Sequence, residues 1–315
     1  MEYNNKHSSY GNKYVIYEND LKFRESRNLD LNKIDWNKND IKHLYNIDHD
    51  SIEYRVSEFQ KSGGSDLDLA DMKLIKIPDI IYSNLSKFIN LKHLFLSNND
   101  LKGILNLSNL HYLELVDVDN NKIINIILPP NLLEFSCNNN LLESIPSLNK
   151  IKRLRLSNNK INLFNNFDLN KEIEIIELDN NNITSIDLFN YNNLYRCILF
   201  NNPLTQIKIS KNLKYLDISE TKLIELDNIY NIEHLVTNNC NYLTNIPISD
   251  NLKTLEIINT PINKLYFYKN FELIILQLNL TKNISSKYKS CNANIQIRKN
   301  IFLVISKGIQ IQDEL

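Results

Sequence analysis

Residues Leu91 to Leu101 read LKHLFLSNNDL, residues Ile151 to Ile161 read IKRLRLSNNKI, and residues Ile173 to Ile183 read IEIIELDNNNI. In each, apolar residues stand at positions one, four, six and eleven, and asparagine stands at position nine. A further apolar residue follows three places later, at Ile104, Phe164 and Ile186. The middle of each stretch alternates apolar and polar with the two-residue period of a strand, so Leu94 and Leu96 are expected to point one way and His93, Phe95 and Ser97 the other. Each stretch is therefore one short strand followed by a sharp turn.

The ninth position marks the register along the chain: Met72, Asn99, Asn121, Asn140, Asn159, Asn181, Asn202, Thr221, Cys240, Thr260 and Thr281. Neighbouring markers are 27, 22, 19, 19, 22, 21, 19, 19, 20 and 21 residues apart. A fixed period of this size is the signature of a repeat array in which no single copy can bury its own apolar side. The pattern LxxLxLxxNxL resembles the leucine-rich repeat family over about residues 66 to 284. The resemblance implies an α/β-type repeat solenoid, a horseshoe with a parallel concave β-sheet of about eleven strands. It says little of function, because unrelated activities share a fold.

The marker asparagines have a structural task. The turn after each strand leaves N–H and C=O groups that the sheet cannot pair, and an amide can both donate and accept. Asn99, Asn121, Asn140, Asn159, Asn181 and Asn202 are expected to form a buried ladder, less regular at both ends where Met72, Thr221, Cys240 and Thr260 replace asparagine. Repeats of 19 to 22 residues leave little for the return path, so the convex side is expected to be extended or 3₁₀. The longer first interval holds Ile80, Ile81, Leu85 and Phe88 after Pro78, which suits one short helix.

Residues 1–65 lie before the array and 285–315 after it. Apolar residues at Ile41 and Leu44, then Ile52, Val56 and Phe59, fit one face of short helices that would cap the raw end of the stack. The run Ile301 to Ile305 suits one or two strands covering the last repeat. About one residue in six is asparagine, with only Ala70 and Ala293 for alanine, which indicates an AT-rich genome. This Asn-rich look is similar to leucine-rich repeat proteins of amoeba-infecting giant DNA viruses, with AT-rich protists as the other source. The apolar positions remain filled, so a folded array is expected rather than a disordered asparagine tract.

A formal charge of -1, from 36 basic and 37 acidic residues, supplies no field for nucleic acid or anionic membrane. No apolar run of 18 residues and no leader-like start is present, so a cytoplasmic protein is expected, in the host cytoplasm if the source is viral. Cys137, Cys197 and Cys240 occupy core or ladder positions, and Cys291 stands apart in the tail; none has metal-ligand spacing. No paired carboxylates or phosphate-cradling glycine loop are visible, and no cofactor or metal is expected.

The expected function is that of a noncatalytic protein–protein interaction module, a monomer whose protein partner meets the concave face. Arg153 should lie beside Glu134 and Arg155 beside Glu177 on neighbouring strands. Arg153, Arg155 and Arg196, with Phe95, Glu177, Phe200 and Tyr215, form the candidate contact set, since arginine and aromatic side chains dominate interface energetics. Arg155 and Tyr215 are not consensus positions, so neither is expected to be needed for folding. The alternatives are a substrate-recognition adaptor for a ubiquitin ligase and a structural or virion component.

Overall fold

A computed structural model describes residues 51–83, 85–162, 171–226, 229, 231–247, 251–262, 273–277 and 303–306. Expectations for Ile41, Leu44, Phe164, Thr281 and Cys291 fall outside these residues.

Helix α1 (Ile52–Ser62) opens at Ser51, whose hydroxyl accepts the Tyr54 N–H at 3.1 Å, and closes at Gly63 with φ 63°. Both ends follow from residue chemistry: serine satisfies an orphan donor, and glycine takes the left-handed cap without a Cβ clash. Val56 and Phe59 are buried, and Phe59 stacks on Phe88 with ring centres 5.6 Å apart. The Arg55 guanidinium donates to the carbonyls of Asp68 and Ala70, tying the helix to the first strand. Helix α2 (Asp79–Ser83) and a 3₁₀ turn at Leu85–Phe88 occupy the long first interval, as the apolar spacing there requires.

The sheet contains β1 (Asp66–Asp68), β2 (His93–Phe95), β3 (Leu115–Asp117), β4 (Glu134–Ser136), β5 (Arg153–Arg155) and β6 (Ile175–Glu177). It continues through β7 (Arg196–Ile198), β8 (Tyr215–Asp217), β9 (His234–Val236), β10 (Thr254–Ile258), β11 (Leu273–Gln277) and β12 (Leu303–Ser306). Spatial order follows chain order. The first eleven strands run parallel, as a chain that returns by the same crossover each turn must, and β12 closes the edge antiparallel to β11. The outer side carries short pairs of extended strands, Lys102–Asn106 with Lys122–Ile127 and Ser185–Asp187 with Gln206–Lys208, in place of long helices.

In-register pairing stacks the middle residue of each strand into one column. Leu67, Leu94, Val116, Phe135, Leu154, Ile176, Cys197, Leu216, Leu235 and Leu255 are all at most 1% exposed. Each such side chain contributes roughly 1.5–3 kcal/mol by burial. This column, with Leu69, Leu96, Leu156, Leu178 and Ile218 beside it, is the core that no single repeat could make.

The asparagine ladder forms as its chemistry demands. The Asn121 carbonyl oxygen accepts the Leu101 N–H at 2.9 Å, while its amide donates to Leu96 at 2.9 Å, Val118 at 3.0 Å and Asp119 at 3.1 Å. Leu101 and Leu96 belong to the preceding turn and Val118 and Asp119 to its own, so one side chain fastens two turns together. Asn99, Asn140, Asn159, Asn181 and Asn202 repeat the arrangement. Thr221 keeps one backbone bond, to Ile218 at 2.8 Å, and a contact with the Cys240 sulfur.

One consensus position departs from expectation. Ile104 is 63% exposed, and Leu105 takes the buried place. The register of the outer strand pair shifts between Gly103 and Ile104, with Gly103 at φ 77°, and the resulting bulge turns Ile104 outward.

Candidate binding face

The outward side of the sheet is built from the first and third residues of each strand and the second residue beyond it. Because pairing is in register, like positions form rows that cross the strands. Among the described elements, only α1 packs broadly against a sheet strand, and it does so at β1.

The expected neighbours do meet. Glu134 and Arg153 are register partners and form an ion pair, and Arg153 also reaches Glu174 at 3.9 Å. Arg155 Nε lies 3.4 Å from Glu177, its register partner on β6. The same carboxylate receives Arg196 from the other side at 3.3 Å, and the Arg196 guanidinium lies 4.3 Å from the Tyr215 ring centre. Tyr215 in turn lies against His234 at 6.3 Å, and His234 Nδ1 is 2.7 Å from the Thr254 hydroxyl. A line of polar and aromatic contacts thus runs from β5 to β10. Phe95 does not join it: it sits on β2, between Asp68 and Asp117. Phe200 follows β7 and is half-buried.

The face is also less free than its register suggests. Ile175, Glu177 and Asp179 are 8%, 8% and 9% exposed, so neighbouring side chains cover much of β6. Arg155 is 13% exposed at its side chain and is committed to Glu177. It also offsets the charges of Asp117 and Asp119. Arg155 therefore belongs to the structure, contrary to the expectation that it is dispensable for folding: removing it would leave partly buried carboxylates without their cation.

Burial and the neighbouring Asp119 carboxylate push Asp117 up to about 7. Burial likewise raises Asp119, although it is held by the Ser136 hydroxyl at 2.7 Å and the Asn138 N–H at 2.6 Å. Burial raises Asp179 and Asp217, with Glu177 acting on the first and Glu256 on the second. On the first strands the balance is reversed. A hydrogen bond of 2.8 Å between His93 and Asp66 raises the imidazole and lowers the carboxyl.

Cys137, Cys197 and Cys240 are buried, and desolvation pushes all three thiols up, which makes them inert core residues. Among the described residues no group of three or more His, Cys, Asp or Glu could hold a metal ion, and no helix is long and apolar enough to cross a membrane. A recess of about 240 Å³ lined by Leu85, Phe88, Ile89, His111 and Tyr112 is shallow and smaller than the usual ligand pocket.

A second ladder escaped the sequence reading. Asn98, Asn120, Asn139, Asn158, Asn180, Asn201, Asn239 and Asn259 all have φ between 51° and 56°. Their exposed amides link turn to turn, Asn120 to Asn98 at 2.8 Å, Asn139 to Asn120 at 2.8 Å and Asn201 to Asn180 at 2.7 Å. The Asn-Asn doublets carry the signal: the first residue takes the left-handed turn that asparagine tolerates, and the second enters the core.

No protein-family model matches the chain, and no curated protein matches it in sequence. Solved structures do match. The LRIM1/APL1C complex is similar at TM-score 0.52 and 22% identity, over 67% of this chain and 47% of that one. The leucine-rich repeat domain of APL1B is similar at TM-score 0.52 and 14% identity, over 71% of this chain and 72% of that one. A leucine-rich repeat protein of Leptospira interrogans is similar at TM-score 0.47 and 24% identity, over 63% of this chain and 50% of that one. The chain thus spans about half the length of the first of these. At such identities the likeness establishes the fold, a leucine-rich repeat solenoid.

Proposed function

We propose that the protein is a noncatalytic interaction module whose partner, another protein, binds the concave face of the sheet across β5 to β9. The observation that carries this reading is the Arg196–Tyr215 pair, a guanidinium and an aromatic ring held by adjacent strands on a face that the described elements leave open. Arginine and tyrosine lose little entropy once so oriented, and they are the residues that supply most binding energy in protein interfaces. The similar LRIM1/APL1C structure is itself a complex. The composition supports an AT-rich source, and on the giant-virus reading the module acts as a monomer in the host cytoplasm.

A photo-crosslinking residue placed at Ile198 or Val236 on the face, and at Ile124 on the outer strands, tests this. Adducts with a partner protein are expected from the first two positions. Adducts from Ile124 alone would put the partner on the outer side and reject the reading.

A further inference from the structure

The outward rows of the sheet are selectively acidic. Over β1 to β10 they carry nine carboxylates against three arginines and no lysine, although the whole chain has 36 basic and 37 acidic residues. The three arginines are already committed: Arg153 to Glu134, and Arg155 and Arg196 together to Glu177. What remains open on the face is negative charge.

That charge is arranged. Register pairing places Glu177, Ile198, Asp217, Val236 and Glu256 in one row across β6 to β10. Carboxylates therefore alternate with apolar side chains, and at about 4.8 Å per strand Asp217 and Glu256 stand roughly 10 Å apart. Asp217 accepts the Ser219 N–H at 3.0 Å and Glu256 accepts the Asn238 amide at 2.6 Å. Neither has a cation at ion-pair distance among the described residues, whereas the partly buried Glu233 binds both Lys214 at 3.0 Å and Lys253. Asp179 adds a third carboxylate that acts on Asp217. Like charges gathered on a half-buried surface are unfavourable alone and become favourable when an opposite charge arrives.

We propose that the partner presents a basic extended segment to this row, with lysine or arginine side chains seated on Asp217 and Glu256 and apolar side chains on Ile198 and Val236. This rests on the concave-face reading above and assigns its partner chemistry. A polyproline-type chain advances about 3.1 Å per residue and repeats every three residues, so cationic side chains at every third position share one face and match the roughly 10 Å spacing of Asp217 and Glu256.

The test uses the whole chain and two synthetic peptides, one with arginine at every third position among valine and serine, the other with glutamate in place of arginine. Titration calorimetry at low salt is expected to show binding of the first only, weakening as salt rises. Asp217→Asn with Glu256→Gln is expected to weaken that binding at least tenfold. Val236→Lys, which places a cation between the two carboxylates without removing either, is expected to weaken it similarly. Glu143→Gln with Glu225→Gln, the same charge change on exposed residues off the face, is expected to leave it within twofold. Equal loss in the on-face and off-face variants, or equal binding of the two peptides, would overturn the proposal. Crosslinks from Ile198 or Val236 with no preference for the basic peptide would keep the face and reject its chemistry; loss of both would reject the face.

Discussion

The Arg196 guanidinium lies 4.3 Å from the ring centre of Tyr215, its register partner on the next strand, while its Nε reaches Glu177 on the strand before. One side chain therefore spans three strands. It orients an aromatic ring on the face and neutralises half of a carboxylate that Arg155 holds from the far side.

Glu177 is the keystone of that arrangement, with a side chain 10% exposed. Glu177→Ala would leave two guanidiniums facing each other without their anion, and is expected to lower stability by about 3 kcal/mol. Arg153→Ala removes a pair whose arginine is 39% exposed, and should cost about 1 kcal/mol or less. Denaturant unfolding of both variants checks the order; equal losses would show that Glu177 is solvated like any surface acid.

Asn159 offers the clearest test of the ladder. Its oxygen accepts the Leu142 N–H at 2.9 Å, and its amide donates to Cys137 at 2.8 Å, Leu156 at 3.1 Å and Ser157 at 3.2 Å. Asn159→Ala strands these backbone groups and is expected to cost on the order of 1–3 kcal/mol, read as a fall in unfolding midpoint. A change within about 0.5 kcal/mol would mean that water replaces the amide.

Glu220 breaks the outer ladder. It holds φ 56° where eight other turns place asparagine and the first places Asp71, and a glutamate has no local hydrogen bond to favour that conformation. Glu220→Asn is expected to stabilise the protein by about 0.5–1 kcal/mol, seen as a raised melting temperature. A lower melting temperature would show that the contact from the Asn239 amide to Glu220, at 3.5 Å, outweighs backbone strain.

Stability should rise on mild acidification. Burial and Asp119 lift Asp117 from 3.8 to about 7, so the native state keeps a proton that the unfolded chain loses above about pH 4. Ionisation through pH 7 then works against the fold. His93 acts in the same direction: its bond to Asp66 raises it above 6.5, and the stabilisation of its charged form is complete below 6.5 and lost as pH rises through the folded value. Asp66, Asp187 and Glu233 are lowered and remain ionised in both states over this window. The melting temperature is expected to be higher at about pH 5.5 than at about pH 8, with the difference reduced in Asp117→Asn. A melting temperature that climbs with pH would contradict the assignment.

The repeat array was legible because its signal is redundant. A buried column from Leu67 to Leu255 and the amides of Asn99 to Asn202 recur at a period that periodicity alone exposes. Lateral pairs such as Arg153 with Glu134 were legible because strand register follows from repeat register. Sequence could not show how deeply the outward positions sink. Whether Glu177 and Asp179 are covered depends on the side chains of the adjacent strands, Arg155 and Arg196 above all, and Arg155 looked replaceable because no consensus names it. Ile104 was misplaced for a local reason, since the register of the outer strand pair shifts between Gly103 and Ile104 and moves the buried place to Leu105.

The central claim is that a protein partner binds the concave sheet near Tyr215. The most direct measurement is the affinity of a crosslinked and purified partner for Tyr215→Ala with Phe200→Ala, compared with Ile104→Ala with Ile124→Ala on the outer side. The first pair is expected to weaken binding by at least about 1–3 kcal/mol with the fold intact by circular dichroism, and the second pair to leave it unchanged. Unchanged affinity in the Tyr215 and Phe200 variant, with loss in the outer one, would contradict it.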